Sequence, residues 1–262
     1  NYPITMHFHN DPRDMKGSKT VNERISIANN ASAVYFVSEY IRDCFLDGIN
    51  HKFNNLFIIP NAIQRDFKKK PIKIKQVLFV GRLVPSKGCH LFVESISKLS
   101  IKHPDWKFKI IGTPKAGEAT LSSIYSKKLI KKFESLGPNT EYLGFISNNK
   151  VKKIIKETSI LVVPSIWQEP FALTALEGMC NGAAVIASKV GGMREMLDNT
   201  GLLINNIDEI KLEKAIKSLI ENRNLLIKYQ NKSWNNYKYN QSDIVKLQDK
   251  IRINILEKFN YY

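Results

Sequence analysis

A chain of 262 residues exceeds one ordinary α/β domain and falls short of two. Its 43% apolar content suffices for a sizeable core, which excludes disorder, and no apolar run approaches the roughly 18 residues that span a bilayer. The net charge of +16, from 40 Lys+Arg against 24 Asp+Glu, favours acidic partners such as phosphates, an anionic membrane surface or nucleic acid; nucleotide bias in a Lys-, Ile- and Asn-rich gene accounts for it equally well.

The chain opens strand-like at Tyr2-Pro3-Ile4-Thr5-Met6, with no initiator Met and no signal-peptide core, and is expected to begin inside a domain. Residues 1–66 read as the end of an α/β unit: a strand at Ile4–His9, a helix at Thr20–Asn30, and a short apolar strand at Ala33–Val37. Ser38 then N-caps a helix running to Gly48, and the buried-type strand Leu56–Ile59 is stopped by Pro60-Asn61. Charge and proline in Phe67-Lys68-Lys69-Lys70-Pro71 mark a domain boundary. Beyond it the alternation restarts, with strands at Val77–Val80, Lys107–Ile111, Glu141–Leu143, Ile160–Val163 and Ala184–Ala187. Helices are expected at His90–Ser100, Leu121–Leu136, Lys150–Glu157 and Leu173–Cys180. Leu212, Ile216 and Leu219 mark one further helical face, and Ile244, Leu247, Ile251 and Ile255 another. Strands alternating with helices, most of the strands uniformly apolar, predict an α/β fold with a doubly wound parallel sheet. Cys44, Cys89 and Cys180 are scattered, odd in number and without metal-site spacing, so a reducing cytoplasm fits best.

In open parallel sheets ligands bind beyond the carboxyl ends of the strands. The loops expected there carry Gly81-Arg82, Gly112-Thr113-Pro114, Gly144-Phe145 and Pro164–Pro170. In Val80–Gly88 a strand ends at a glycine, and Arg82 and Lys87 follow on a loop leading into a helix. Arginine forks onto two phosphate oxygens and lysine adds a compact charge, so the pair can neutralise a diphosphate. Two loop cations are more often simply solvated; Gly81 and Gly88, which permit close backbone approach, favour the phosphate reading. In Pro164–Glu177, Glu169 precedes a proline and is held extended or in a turn. Pro170 is placed to open a helix, whose free N–H groups around Phe171, Ala172, Leu173 and Thr174 then face an anion. Glu177 follows about two turns along the same helix. Alone, this segment reads as an ordinary helix with an N-terminal Glu favoured by the macrodipole.

Together the two segments resemble the retaining, nucleotide-sugar-dependent glycosyltransferases built from two Rossmann-like domains, the GT-B architecture of the glycosyl transferases group 1 family. That family typically shows a Gly-Arg…Lys-Gly loop, here Arg82/Lys87, and later two glutamates separated by seven residues, here Glu169/Glu177. Phe108–Gly112, Tyr142-Leu143-Gly144-Phe145, Val190-Gly191-Gly192-Met193-Arg194-Glu195 and Gly201-Leu202-Leu203 match in the same order. The resemblance implies that residues 1–66 are part of the acceptor-side domain, that 72–235 bind the nucleotide-sugar donor, and that a helix in 236–262 packs back on the N-terminal piece. It implies a donor site with Gly81 and Gly112 at its strand ends, Arg82 and Lys87 on the diphosphate and Glu177 on the ribose. The Phe145 loop would take the base, the N–H groups of Phe171, Ala172, Leu173 and Thr174 the phosphates or sugar, and Glu169 the reacting face of the sugar. Ala172 stands where the family usually has Gly, and Gly178 where it usually has Ala, which leaves donor identity open.

The family often places a histidine of the N-terminal segment across the cleft on the donor sugar. On a strand, His7 and His9 face the same side, and His9, nearest the strand's carboxyl end, is favoured over His7. No Asp-X-Asp occurs in the chain. Two fixed cations and a helix N-terminus can stabilise a leaving diphosphate instead, so a metal-independent transfer without further cofactor is implied. The acceptor is expected to be a saccharide or lipid-linked saccharide of the cell envelope. Lys68-Lys69-Lys70 and Lys127, Lys128, Lys131 and Lys132 offer an anionic membrane surface a peripheral contact, which suits a cytoplasmic protein on the inner face. Aromatic residues are not interleaved with these cations, so nucleic acid is not expected. A non-catalytic nucleotide-sugar-binding fragment is the alternative to an active transferase.

Overall fold

The computed structural model describes residues 2–115 and 123–259. The chain first forms β1 (Thr5–Phe8), α1 (Val21–Asn30), β2 (Ala33–Phe36), α2 (Glu39–Leu46) and β3 (Leu56–Ile58). The three strands make a parallel sheet in the order β1-β2-β3. A capping box starts α1: Glu23 N–H donates to Thr20 Oγ1 at 3.2 Å, and Thr20 N–H to the Glu23 carboxylate at 2.8 Å. The middle strand, β2, is buried throughout, which is why its four residues are all apolar or aromatic. Ser38 N-caps α2, accepting from Ile41 N–H. The buried Arg24 guanidinium closes the far end of α2 by donating to the Phe45 carbonyl at 2.7 Å.

Most of the chain that follows builds one larger sheet and its helices. In chain order its elements are β4 (Ile74–Val80), α3 (Cys89–Lys102), β5 (Lys107–Ile111), α4 (Ile124–Glu134), β6 (Thr140–Tyr142), α5 (Asn148–Glu157), β7 (Thr158–Val163), α6 (Leu173–Cys180), β8 (Ala184–Ser188), α7 (Met193–Met196), β9 (Leu202–Ile204), α8 (Glu209–Glu221) and α9 (Arg223–Asn235). All six strands are parallel, in the order β6-β5-β4-β7-β8-β9. The order reverses between β4 and β7, as in a doubly wound sheet. One face packs under α3, α4 and α8 through Phe79, Phe92, Phe108, Phe133 and Ile216. On the other face, Leu161, Val185, Leu176 and Met179 belong to a cluster that continues into Phe8, Phe36 and Phe45 of the small sheet. The two sheets therefore share one apolar core.

The last helix, α10 (Gln241–Phe259), returns to the small sheet and lays Ile244, Ile251 and Ile255 against Ala33, Tyr35 and Ile59. The chain thus crosses between the units twice, and the crossings touch: Ile63 N–H donates to the Tyr239 carbonyl at 3.0 Å, and Tyr237 OH to the Ile63 carbonyl at 2.7 Å. The first crossing is strapped down by Arg65. Its guanidinium lies 3.8 Å from the Trp234 ring centroid and 4.7 Å from that of Tyr237, and it donates to the carbonyls of Cys180 and Trp234.

Several boundaries differ from the sequence expectation. The strand expected at Val77 begins at Ile74, because Gln76 finds a buried partner in the Thr158 hydroxyl at 2.6 Å. The helix expected over Leu121–Leu136 is observed over Ile124–Glu134 behind the N-cap Ser123; Leu121 lies outside the described residues. A second helix, α9, follows α8 after the single residue Asn222. Among the described residues, no helix is long and apolar enough to cross a membrane.

Candidate functional site

The switch between β4 and β7 puts the loop after Val80 beside the loop after Val163. Gly88 fuses them: its backbone is left-handed (φ +69°), and a Cβ there would lie 1.9 Å from the Pro164 carbonyl oxygen. Ile166 N–H donates to the Ser86 carbonyl at 2.8 Å across the same junction. A cavity of about 240 Å³ opens between the loops, walled by Gly81, Lys87, Ser165, Glu169, Phe171, Ala172, Leu173 and Thr174 among others.

Inside it, the Lys87 ammonium meets Glu169 Oε1 at 2.6 Å, and Ser165 Oγ donates to the same oxygen at 2.6 Å. The Glu169 side chain is 7% exposed and that of Lys87 20%, so the pair is substantially desolvated. The Lys87 nitrogen also lies 4.8 Å from the Trp167 ring centroid. Beside them α6 begins without a side-chain cap, because its N-cap residue is Ala172. The first-turn N–H groups and the positive end of the helix therefore face the cavity with no acceptor of the helix's own.

Pro170 does not open this helix. α6 starts at Leu173, and Pro170 sits in the preceding turn, its carbonyl taken by Ser38 Oγ of the small unit at 2.8 Å. Glu169 is consequently off the helix that carries Glu177, and the two glutamates are not on one helical face.

The remaining candidates do not line this cavity. Arg82 is exposed on the β4 loop. Gly112, at the end of β5, donates its N–H to the Gly144 carbonyl at 2.9 Å, and Phe145, two residues past β6 and Leu143, is 53% exposed. Glu177 is half-buried on α6, and among the described residues its carboxylate accepts no hydrogen bond. Burial pushes that carboxyl above its ordinary range, with Lys152 opposing. His9 is exposed at the end of β1, its ring centroid 4.2 Å from that of His7. His7 donates from Nε2 to the Ile59 carbonyl at 3.1 Å, while burial and the neighbouring His9 depress its pKa.

Two residues escaped the sequence reading. Ser165 is buried and holds Glu169; its only local sign is a serine four residues ahead of the glutamate at a strand exit. Ser38 was legible as a helix cap but not as a ligand of the Pro170 carbonyl, 132 residues away.

The strand order and the glycine-fused loops at its switch point define a doubly wound α/β protein with its cleft at the carboxyl ends of β4 and β7. Residues 61–241 match the family model for glycosyl transferases group 1, and the chain belongs to that family. An uncharacterized glycosyltransferase of Methanocaldococcus jannaschii is 29% identical over 198 residues, covering 75% of this chain and 52% of the relative. The lipopolysaccharide 1,2-N-acetylglucosaminetransferase of Salmonella typhimurium is 28% identical over 172 residues, covering 61% of this chain and 45% of that protein. The crystal structure of Anabaena HepE in complex with UDP shares the fold with a TM-score of 0.77 at 19% identity, over 99% of this chain and 72% of that one. The chain spans about half the length of the curated relatives it matches.

Proposed function

We propose that the cleft at the β4–β7 switch binds a nucleoside-diphosphate sugar, and that the whole protein transfers the sugar to an acceptor with retention at the anomeric carbon. The observation that carries this reading is the convergence of Lys87, Glu169 and the uncapped N-terminus of α6 on one cavity. A cation and free helix N–H groups answer a diphosphate, and a buried carboxylate next to them answers a developing positive charge on a sugar. In support, HepE has been solved in complex with UDP and with UDP-glucose.

In this reading Lys87 leaves Glu169 for the diphosphate, and Arg82 folds in from the loop to join it. Glu177, whose carboxylate is half-buried and unbonded, takes the ribose hydroxyls. The Phe145 loop lies along the base, Gly81 and Gly112 let the backbone approach, and His9 reaches the donor sugar from the small unit. Fixed cations and the helix end stand in for a metal. The acceptor is a saccharide or lipid-linked saccharide of the cell envelope, in line with the lipopolysaccharide relative. The exposed lysines of α4, Lys127, Lys128 and Lys131, give an anionic membrane surface a peripheral contact.

The test is calorimetric binding of UDP, GDP and ADP, and of the corresponding free nucleosides, with and without chelator. We expect Arg82→Ala and Lys87→Ala each to weaken the diphosphate by about 10- to 100-fold, with the nucleoside nearly unaffected and the chelator without effect. Equal losses for diphosphate and nucleoside, or affinity abolished by chelation, would overturn the reading.

A further inference from the structure

The segment Gly191–Glu195 is pronounced in the sequence, yet the donor site uses none of its side chains. Its backbone lies directly on the turn that carries Glu169. Gly192 N–H donates to the Glu169 carbonyl at 2.8 Å, and Gly191 N–H to Gln168 Oε1 at 2.7 Å. A Cβ at Gly191 would fall 2.2 Å from the Glu169 carbonyl oxygen, and one at Gly192 2.2 Å from that of Pro170. No side chain fits at either position while the turn stays where it is. The Glu169 turn therefore rests on a backbone shelf.

The same segment reaches into the small unit. Glu195, on α7, accepts the first-turn N–H groups of α2: Glu39 N–H at 3.0 Å on one oxygen and Tyr40 N–H at 3.2 Å on the other. Ser38, the cap residue immediately before them, donates to the Pro170 carbonyl, and a Cβ on Gly192 would lie 2.9 Å from the Ser38 Cβ. Four groups thus close a ring: the Glu169-Pro170 turn, the Gly191–Gly192 shelf, the Glu195 carboxylate and the first turn of α2. Arg42 and Glu39 are the charged neighbours that act on Glu195 from α2, and Lys238 and Tyr239 line a cavity with it from the other side. Phe171 walls both this cavity and the donor cavity.

We infer that Glu195 is a positioning residue: by clamping the first turn of α2 it seats Ser38 on the Pro170 carbonyl and so fixes the Glu169 turn, tying the placement of the small unit to the geometry of the donor-site carboxylate. The consequence for turnover rests on the function proposed above; the clamp itself does not. A carboxylate with two oxygens suits this task, since it accepts two successive N–H groups at once, whereas an amide offers a single acceptor.

Hydrogen exchange followed by mass spectrometry tests the clamp on the chain itself. Glu195→Ala should speed exchange at peptides covering residues 38–42 and also at those covering 165–172, by about tenfold or more in each. Ser38→Ala should reproduce the second effect, Glu195→Gln should restore part of both, and Lys214→Ala on the surface of α8 should change neither. Faster exchange at 38–42 alone would overturn the inference and leave Glu195 a simple helix cap. In the full-length protein, release of nucleoside diphosphate from UDP-, GDP- and ADP-glucose is the second measurement. There Glu195→Ala should lower kcat by about tenfold, as a displaced reacting group does, with KM within about twofold. It should add nothing in a Glu169→Gln background. Undiminished kcat in Glu195→Ala, or full additivity with Glu169→Gln, would sink the coupling. If Glu169→Gln alone left kcat unchanged, or if none of the donors turned over, the proposed function would fail, while the exchange result would still decide the clamp.

Discussion

Lys87 and Glu169 hold each other in a site where neither has much water, so each is costly to leave alone. Lys87→Met strands a buried carboxylate on the Ser165 hydroxyl, and removing one partner of such a pair costs about 3 kcal/mol. Adding Glu169→Gln should return most of that loss, and denaturant melts of the two single variants and the double variant read the coupling directly. Independent, additive losses would mean that the pair contributes nothing to the fold. Glu177 is the opposite case: a half-buried carboxylate that no hydrogen bond repays among the described residues. Its pKa is raised above the ordinary 4.5, so the folded chain holds that proton more tightly than the unfolded chain. Stability therefore falls as pH rises from 4.5 through the raised value, and the penalty is complete above it. Glu177→Gln escapes the penalty. The variant should melt above wild type near neutrality, with the gap closing on acidification, and should bind nucleoside diphosphate less well. A variant that melts below wild type at neutral pH would show that the carboxylate already has a partner. Glu169→Gln, by contrast, should lower kcat by at least about 100-fold in the full-length enzyme, with donor affinity little changed.

At the level of elements, the junction of the β4 and β7 loops is held by backbone rather than by side chains. Gly88→Ala requires a left-handed backbone of an L-residue, which costs about 1–2 kcal/mol, and drives a methyl into the Pro164 carbonyl. Both loops must shift, so we expect a lower melting temperature and weaker nucleoside diphosphate binding together; loss of one without the other would show the loops to be independent. The strands and helices themselves were largely legible. The bounds expected for Lys107–Ile111 and Leu173–Cys180 match the structure to the residue, and Ser38 is the cap its sequence position suggests, because apolar side chains at strand or helix spacing and a serine ahead of a helix are local signals. Local signals also explain the misses. Asn222 ends α8 and caps α9 with no glycine or proline to announce the break. β9 has only three residues. Pro170 suits a turn as well as a helix start, and what decides between them is a hydroxyl from the other unit. For the site, the loops were visible as glycine- and proline-rich strand exits, but the Lys87–Glu169 contact was not. It spans 82 residues and exists because β4 pairs with β7, a fact of sheet order that no short window of sequence contains.

Across the whole molecule, one apolar cluster runs from Phe8 and Phe36 into Leu161 and Met179. With a shared core and the Arg65 strap, the two units should unfold together, giving one calorimetric transition whose van't Hoff and calorimetric enthalpies agree; two resolved peaks would contradict this. Arg65→Ala removes the stacking on Trp234 and Tyr237 and two carbonyl contacts, and should move that transition down. The paired crossings at Ile63 and Tyr239 carry a further consequence, a mechanical one. Because β1 and α10 both belong to the small unit, the larger unit is a closed loop whose neck is the pair of crossings. Tension applied between β1 and α10 passes through the small unit and the neck, and the larger sheet stays out of the load path until the neck parts. Pulled in an optical trap, the chain should yield first by a short extension from the small unit and only then by a long one, with the nucleoside diphosphate strengthening the second event.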